Sequence, residues 1–297
     1  MAIVGYADQD VVSSKKILRW RFQPGTKFNV LITRSSHHDV KRDSNQINIT
    51  MQSLIDAVYC VKSVDSGGTA QITLSYERVL MKTKSPNGNV HIDTAISDDN
   101  LPKNLATGVK ALKEMVANFR VRFSVDNRGR ILTVDTNVER FKSLEHIFPG
   151  ILKGMSKKGF RKTLKQMFPV LPETPLAVGD TWNDTLESNP AGFPGLQNTL
   201  IKYRYVGPSF YKNTKFDKIT TEATFEWRKP PPGVEVKIVS QESPGTIYFD
   251  SDAGRLVEFE NFQRIISEYT IDGQITREKL AVTSKVEVNL VPPDASS

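Results

Sequence analysis

Long runs of β-branched and aromatic residues constrain this chain more than any other feature. KFNVLITRS, INITMQSLIDAVYCVKSV, GTAQITLSYERVLMK, TLIKYRYVG, ITTEATFEW, GVEVKIVS and RLVEFENFQRIISEYTI are rich in Val, Ile, Thr, Tyr and Phe. Several alternate apolar with polar residues, and turns such as DSGG, SPNG, DNRG and IDG separate them. Alternation with period two puts one set of side chains on each face of a pleated strand. Long alternating runs joined by short turns therefore specify antiparallel sheet with one buried and one wet face. The expected fold class is mainly β (α+β), with long antiparallel strands in two similar curved sheets or half-barrels and two helices in the middle of the chain.

Two stretches break the strand pattern. LPKNLATGVKALKEMVANF follows Asn100, a capping residue, and carries Pro102 in its first turn. Leu105, Val109, Leu112, Val116 and Phe119 recur there at helical spacing, which predicts a helix over about 101–119. A second helix is expected over about 150–168, opened by Pro149 and stopped by Pro169, with Ile151, Met155, Leu164, Met167 and Phe168 as its apolar stripe. Gly154 and Gly159 oppose it, at roughly 1 kcal/mol each relative to Ala.

The same order of features occurs twice. FQPGTKFNV resembles LAVGDTWND, setting Gly25 against Gly179 and Phe28 against Trp182. RFSVDNRGRILTV resembles IYFDSDAGRLVEF, setting Gly129 against Gly254 and Arg130 against Arg255. Each half opens on a glycine turn before an aromatic strand and closes on a Gly-Arg hairpin, the mark of a degenerate duplication. A chain of 297 residues is long enough for two cores of roughly 150 residues. The division falls after the second helix, giving a first half over 17–168 and a second over 169–292, with flexible tails at 1–16 and 293–297.

Charge is local. ILKGMSKKGFRKTLKQMF holds Lys153, Lys157, Lys158, Arg161, Lys162 and Lys165 without one acid, and so accounts for most of the formal net charge of +7. Cations on one side of a helix and apolar residues on the other suit docking on an anionic membrane surface or an acidic protein partner, against the simpler reading of a solvated face. Neutralising Lys157, Lys158, Arg161 and Lys162 is the corresponding test. Nucleic acid is disfavoured, because the charges are not interleaved with stacking aromatics apart from Phe160.

Four segments, LRWRFQPGTKF, AQITLSYERVLM, FPVLPETPLAVGDTW and GTIYFDSDAGRL, together resemble an uncharacterised family of bacterial exported proteins of about this length. The resemblance runs over roughly residues 17 to 290, and its motifs are structural turns. It implies export to the periplasm or cell envelope and no assigned activity. Against export, MAIVGYADQDVVSSKK lacks a cationic start followed by an apolar core, so no secretory signal is present as written. No apolar run reaches the roughly 18 residues of a membrane-spanning helix. The strands and central helix also look like the half-barrel of lipoprotein-carrier folds, an architectural analogy that does not determine function.

Catalytic signatures are missing: no G-x-S-x-G, H-E-x-x-H, C-x-x-C or phosphate-binding glycine loop occurs. Ser-x-x-Lys at Ser13 lacks its companion motifs. Cys60, the only cysteine, reads as a buried structural thiol. His37 and His38 are consecutive, so on a strand they point to opposite faces and do not share a metal easily. Asp98 and Asp99 suit a helix N-terminus. Glu258 and Glu260 read as an exposed sheet face opposite basic residues. Asp250, Asp252 and Gly254 are spaced like calcium ligands, yet the first copy of the turn carries Arg128 and the twelfth position is Asn261, so a hairpin turn is expected. The reading that results is a non-enzymatic binding protein with neither cofactor nor metal. Its candidate apolar ligand lines Leu105, Val109, Leu112 and Val116, positions that equally suit an ordinary core. The alternatives are a structural or protein-interaction module of the envelope and, third, an enzyme of unrecognised type.

Overall fold

A computed structural model describes residues 15–96, 103–144, 154–188, 196–228, 230, 232–271 and 273–292. The strands are β1 (Lys27–Arg42), β2 (Asn45–Val64), β3 (Ala70–Ser85), β4 (Gly88–Asp93), β5 (Arg120–Val125), β6 (Ile131–Thr136) and β7 (Thr181–Ser188). They continue with β8 (Leu196–Tyr211), β9 (Thr214–Arg228), β10 (Val234–Glu242), β11 (Pro244–Asp250), β12 (Arg255–Ile271) and β13 (Gln274–Leu290). All 13 belong to one antiparallel sheet that does not close, ordered β6-β5-β3-β2-β1-β13-β12-β11-β9-β8-β7, with β4 beside β3 and β10 beside β12. The two expected sheets are thus two halves of a single sheet, joined where β1 pairs with β13 from Phe28–Leu290 to Arg42–Thr276.

The two glycine turns make matching hydrogen bonds. The amide of Gly25 donates to the Val61 carbonyl and that of Val61 to Thr26; likewise the amide of Gly179 donates to the Tyr205 carbonyl and that of Tyr205 to Asp180. Phe28 lies opposite Tyr59, and Trp182 lies opposite and stacked on Tyr203. The path β1-β2-β3-β5-β6 recurs as β7-β8-β9-β11-β12, and β13 then returns to bridge β12 and β1.

Helix α1 spans Lys103–Asn118, within the expected 101–119, and packs against β3. A short 3₁₀ helix follows at Val138–Leu144. Helix α2 covers Lys157–Met167; Gly154 and Met155 before it are helical too, so the expected 150–168 helix is broken at extended Ser156, which caps α2 by accepting from the Gly159 amide. Pro149 and Ile151 lie outside the described residues, as do the expected tails over 1–14 and 293–297. Lys16, the last residue of the expected N-terminal tail, is held: it pairs backbone to backbone with Leu176, and its ammonium is 2.8 Å from Asp217. Helix α2 packs on both end strands, β6 and β7, through buried Phe160, Leu164 and Met167.

The core fills the face of the sheet that carries Val30, Ala57 and Val286, called the inner face below. The segment before β1 crosses it. Trp20 packs among Phe22, Phe168 and Phe249, its Nε1–H donates to the Pro169 carbonyl, and its amide donates to Asn127 in the first Gly-Arg turn. The next amide, Arg21, donates to Gly254 in the second turn. One short segment therefore ties the closing hairpins of both halves together.

Candidate functional site

Alternation along β1 places Phe28, Val30, Ile32, Arg34, Ser36 and His38 on the inner face. Register carries that face across the neighbouring strands, because residues directly opposite share it. At Ile32 the inner row is apolar, running from Val79 and Ile55 through Ile32 to Val286 and Phe259. One step further along, the row turns polar and small: Ser53, Arg34, Ser284 and Asn261 lie side by side on β2, β1, β13 and β12, with Met81 beyond Ser53 on β3. Past that row the inner face of β2 is apolar again, through Met51, Ile49 and Ile47. Met51 and Ile47 are 39% and 45% exposed, while Ile49, Ile55, Val79 and Met81 are half-buried. An apolar strip thus runs out of the core along β2 and β3 into solvent.

Arg34 makes no ion pair among the described residues. It is solvent-accessible, yet enough protein surrounds it that desolvation lowers its pKa. The acid of the same face further along, Glu278, lies three inner-face steps beyond Arg34, opposite Val40. It is buried and already engaged, 3.0 Å from Nδ1 of His38 and 3.2 Å from the Tyr269 hydroxyl that donates to it.

Other titratable groups are likewise satisfied within the fold. Asp217 is 2% exposed. Burial alone raises its pKa, but hydrogen bonds from Lys16, Ser251 and Tyr205 outweigh it and hold the carboxyl below its ordinary range. Asp93 is held low chiefly by hydrogen bonds from Arg78. His37 faces away from His38, toward Thr50 on the opposite surface, as alternation required. Among the described residues no group of three His, Cys, Asp or Glu side chains converges as a metal site would need.

One expectation about an acid needs correction. Glu258 is not on an exposed face: it is 4% exposed, bonded by the Tyr211 hydroxyl and 3.0 Å from Lys285. The tip of the β8–β9 hairpin lies over it, with Tyr211 stacked on Tyr248 at 4.4 Å. The acids of the two Gly-Arg turns do correspond. Asp126 accepts from the amides of Arg128 and Arg130 and from the Arg130 guanidinium, while Asp250 accepts from the Ala253 amide and faces Arg255 at 3.7 Å. The second turn holds one residue more between acid and arginine, which a gapless comparison hides. Both are turn acids.

Val109, Leu112 and Val116 lie buried on α1, within 5% exposure, in packed interior rather than along an open cleft. Leu105 belongs to α1, and its side chain is outside the described set. The apolar cleft nearest the core measures about 30 Å³, about one water, and is lined by Trp20, Phe22, Phe28, Tyr59 and Phe168 among others, not by α1. A wider depression of about 290 Å³ is bordered mostly by residues of the opposite face, Thr33, Ser35, Gln52, Leu54, Leu80, Thr283 and Lys285, and also by Arg34 and Ser53.

The cations of α2 are unequal. Arg161 donates to the carbonyls of Ile131 (2.6 Å) and Leu132 (2.9 Å), covering acceptors on the end strand β6. Lys157 lies 3.1 Å from Asp135, and Lys162 also has a partner. Lys158 and Lys165 have none among the described residues. Lys153 lies outside the described residues. Sequence reasoning grouped these cations by type; it also missed Arg34, whose signal was one arginine interrupting the inner-face alternation of β1.

These features define a class, an antiparallel open-sheet protein with a partly exposed apolar strip on its core face. The chain belongs to a family of unknown function, DUF6263, whose model matches residues 67–254. No curated protein matches the chain. Among solved structures, lipovitellin, from a study of lipid–protein interactions, is 13% identical with a TM-score of 0.46. That match covers 93% of this chain, which spans only 26% of the lipovitellin chain. A protein of YmcC-like fold from Bacteroides fragilis NCTC 9343, inferred to be exported, is 11% identical over 89% of this chain and 97% of its own, with a TM-score of 0.23. An outer membrane channel from Pseudomonas putida F1 is 7% identical over 96% of this chain and 100% of its own, with a TM-score of 0.25.

Proposed function

We propose that the protein is a non-enzymatic binding protein of the cell envelope that holds an apolar, lipid-like ligand along the inner face of its open sheet. The observation that carries this is the apolar strip on β2 and β3, continuous with the core yet reaching solvent at Met51 and Ile47. Contiguous exposed apolar surface marks a binding face, because water gains nothing from wetting it. The ligand lies on strands rather than against α1, whose apolar residues are already packed. The resemblance to exported proteins supports the envelope. Native mass spectrometry of protein from its natural host is expected to show a bound mass of lipid size, lost when Ile47→Glu and Met51→Glu are combined. A clean unliganded mass with no extractable lipid sinks the reading.

A second reading, docking of α2 on an anionic surface, is favoured by the unpaired Lys158 and Lys165 and by Leu132, 47% exposed beside the Arg161 anchor. Replacing Lys158 and Lys165 with Glu is expected to abolish retention on anionic liposomes with the melting temperature unchanged, since exposed lysines without partners contribute little to stability. Arg161→Ala instead lowers stability, by uncovering two β6 carbonyls. Unchanged retention in the double variant, or no retention by the parent, removes this reading.

A further inference from the structure

We infer that Arg34 is the head-group anchor of that apolar strip, and that the ligand is a single-chain amphiphile ending in a carboxylate, of the fatty-acid class. This rests on the apolar-ligand reading and names the chemistry of its ligand. Arg34 follows the apolar inner-face residues Phe28, Val30 and Ile32 on β1, with buried Ser36 on its other side. Its cross-strand neighbours are Ser53 and Ser284, with Asn261 one strand further on. Small side chains on both sides leave room above the guanidinium, and hydroxyl and amide groups supply further donors to an anion. Charge on this face is uncompensated around Arg34, because the acid further along it is held by His38 and Tyr269. A guanidinium beside apolar surface is a weakly hydrated cation whose fork matches a carboxylate bidentately.

The strip begins where this polar row ends. Ile55 and Met51 flank Ser53 on β2, and Met81 lies across from Ser53 on β3. A head bound at Arg34 therefore sets its chain on β2 and β3, directed over Met51 toward Ile47. From position 53, opposite Arg34, to position 47 that strand offers about 20 Å at roughly 3.3 Å per residue. One cation matches one anionic charge. A phosphate monoester carries about −1.5 to −2 at neutral pH and calls for a second cation, which this row lacks.

Fluorescence titration with cis-parinarate and with its methyl ester tests the inference, since the two share a chain and differ in head charge. The parent is expected to bind the acid roughly tenfold to a hundredfold more tightly than the ester, the range for a hydrogen bond to a charged group. Arg34→Gln is expected to erase that preference while leaving ester binding unchanged, and Arg34→Lys to keep part of it. Stearate is expected to displace the probe better than octadecyl phosphate. Equal binding of acid and ester by the parent, a preference that survives in Arg34→Gln, or stronger displacement by the phosphate overturns the assignment. The comparison of acid with ester needs no variant, so it stands whether or not Arg34→Gln folds. Binding of neither molecule overturns the apolar-ligand reading itself, a distinct result from equal binding of both.

Discussion

Trp20→Ala is expected to lower the free energy of unfolding by about 3–5 kcal/mol, the usual cost of truncating a buried large aromatic. Trp20 is 5% exposed and contacts Phe22, Phe168 and Phe249 at centroid distances of 6.1, 4.9 and 5.3 Å. These rings come from the N-terminal segment, from the residue after α2 and from β11, so the indole joins three parts of the chain distant in sequence. Its Nε1–H donates to the Pro169 carbonyl, which loses that donor in the variant. Trp20→Phe keeps most of the ring contacts and removes the donor; a loss of about 1 kcal/mol is expected, the net value of one hydrogen bond. Denaturant unfolding of the two variants checks both values. A loss below 1 kcal/mol in Trp20→Ala means the segment is not the tie described above.

Gly254→Ala is expected to cost about 2–5 kcal/mol, and the reason separates into two parts. Its φ is +67°, where a side chain costs roughly 1–2 kcal/mol. A Cβ would also lie 2.5 Å from the backbone nitrogen, Cβ and Cγ of Arg21, and overpacking of this kind adds roughly 1–3 kcal/mol. Gly25 isolates the first part: its φ is +83°, but nothing lies within 4 Å of its would-be Cβ. Gly25→Ala is therefore expected to lose only the conformational share. Equal losses at the two positions mean the approach of Arg21 to the second turn carries no energy.

The duplication shows how far the sequence can be read. Gly25 and Gly179, and Gly129 and Gly254, were recognisable because a positive φ admits few other residues, so the turn leaves a mark on the chain. The partner of each turn leaves none. Nothing in DSDAGR says that Arg21 donates its amide to Gly254, and nothing in DNRGR says that Trp20 does the same to Asn127. The extra residue of the second turn also concealed that Asp126 and Asp250 do the same work. Glu258 illustrates the same limit: alternation placed it correctly on the face it shares with Glu260, but whether that face is wet depended on a hairpin tip some 47 residues earlier.

The candidate sites divide along the same line. The basic residues 153–165 were conspicuous as composition, yet only packing distinguishes Arg161, an anchor on β6, from Lys158 and Lys165. Strand type, the two helices, the turn glycines and the repeat are local properties, written in periodicity and in backbone conformations that few residues tolerate. Which strands adjoin, where one sheet face leaves the core and becomes accessible, and which of the 40 Lys and Arg residues lacks a partner on that face are properties of register. Register is decided by cross-strand pairs far apart in the chain, and β1 meets β13 across more than two hundred residues. Hence the sequence alone determined an antiparallel β protein with two helices, and the tertiary structure alone brought Ser53, Arg34 and Ser284 into one row.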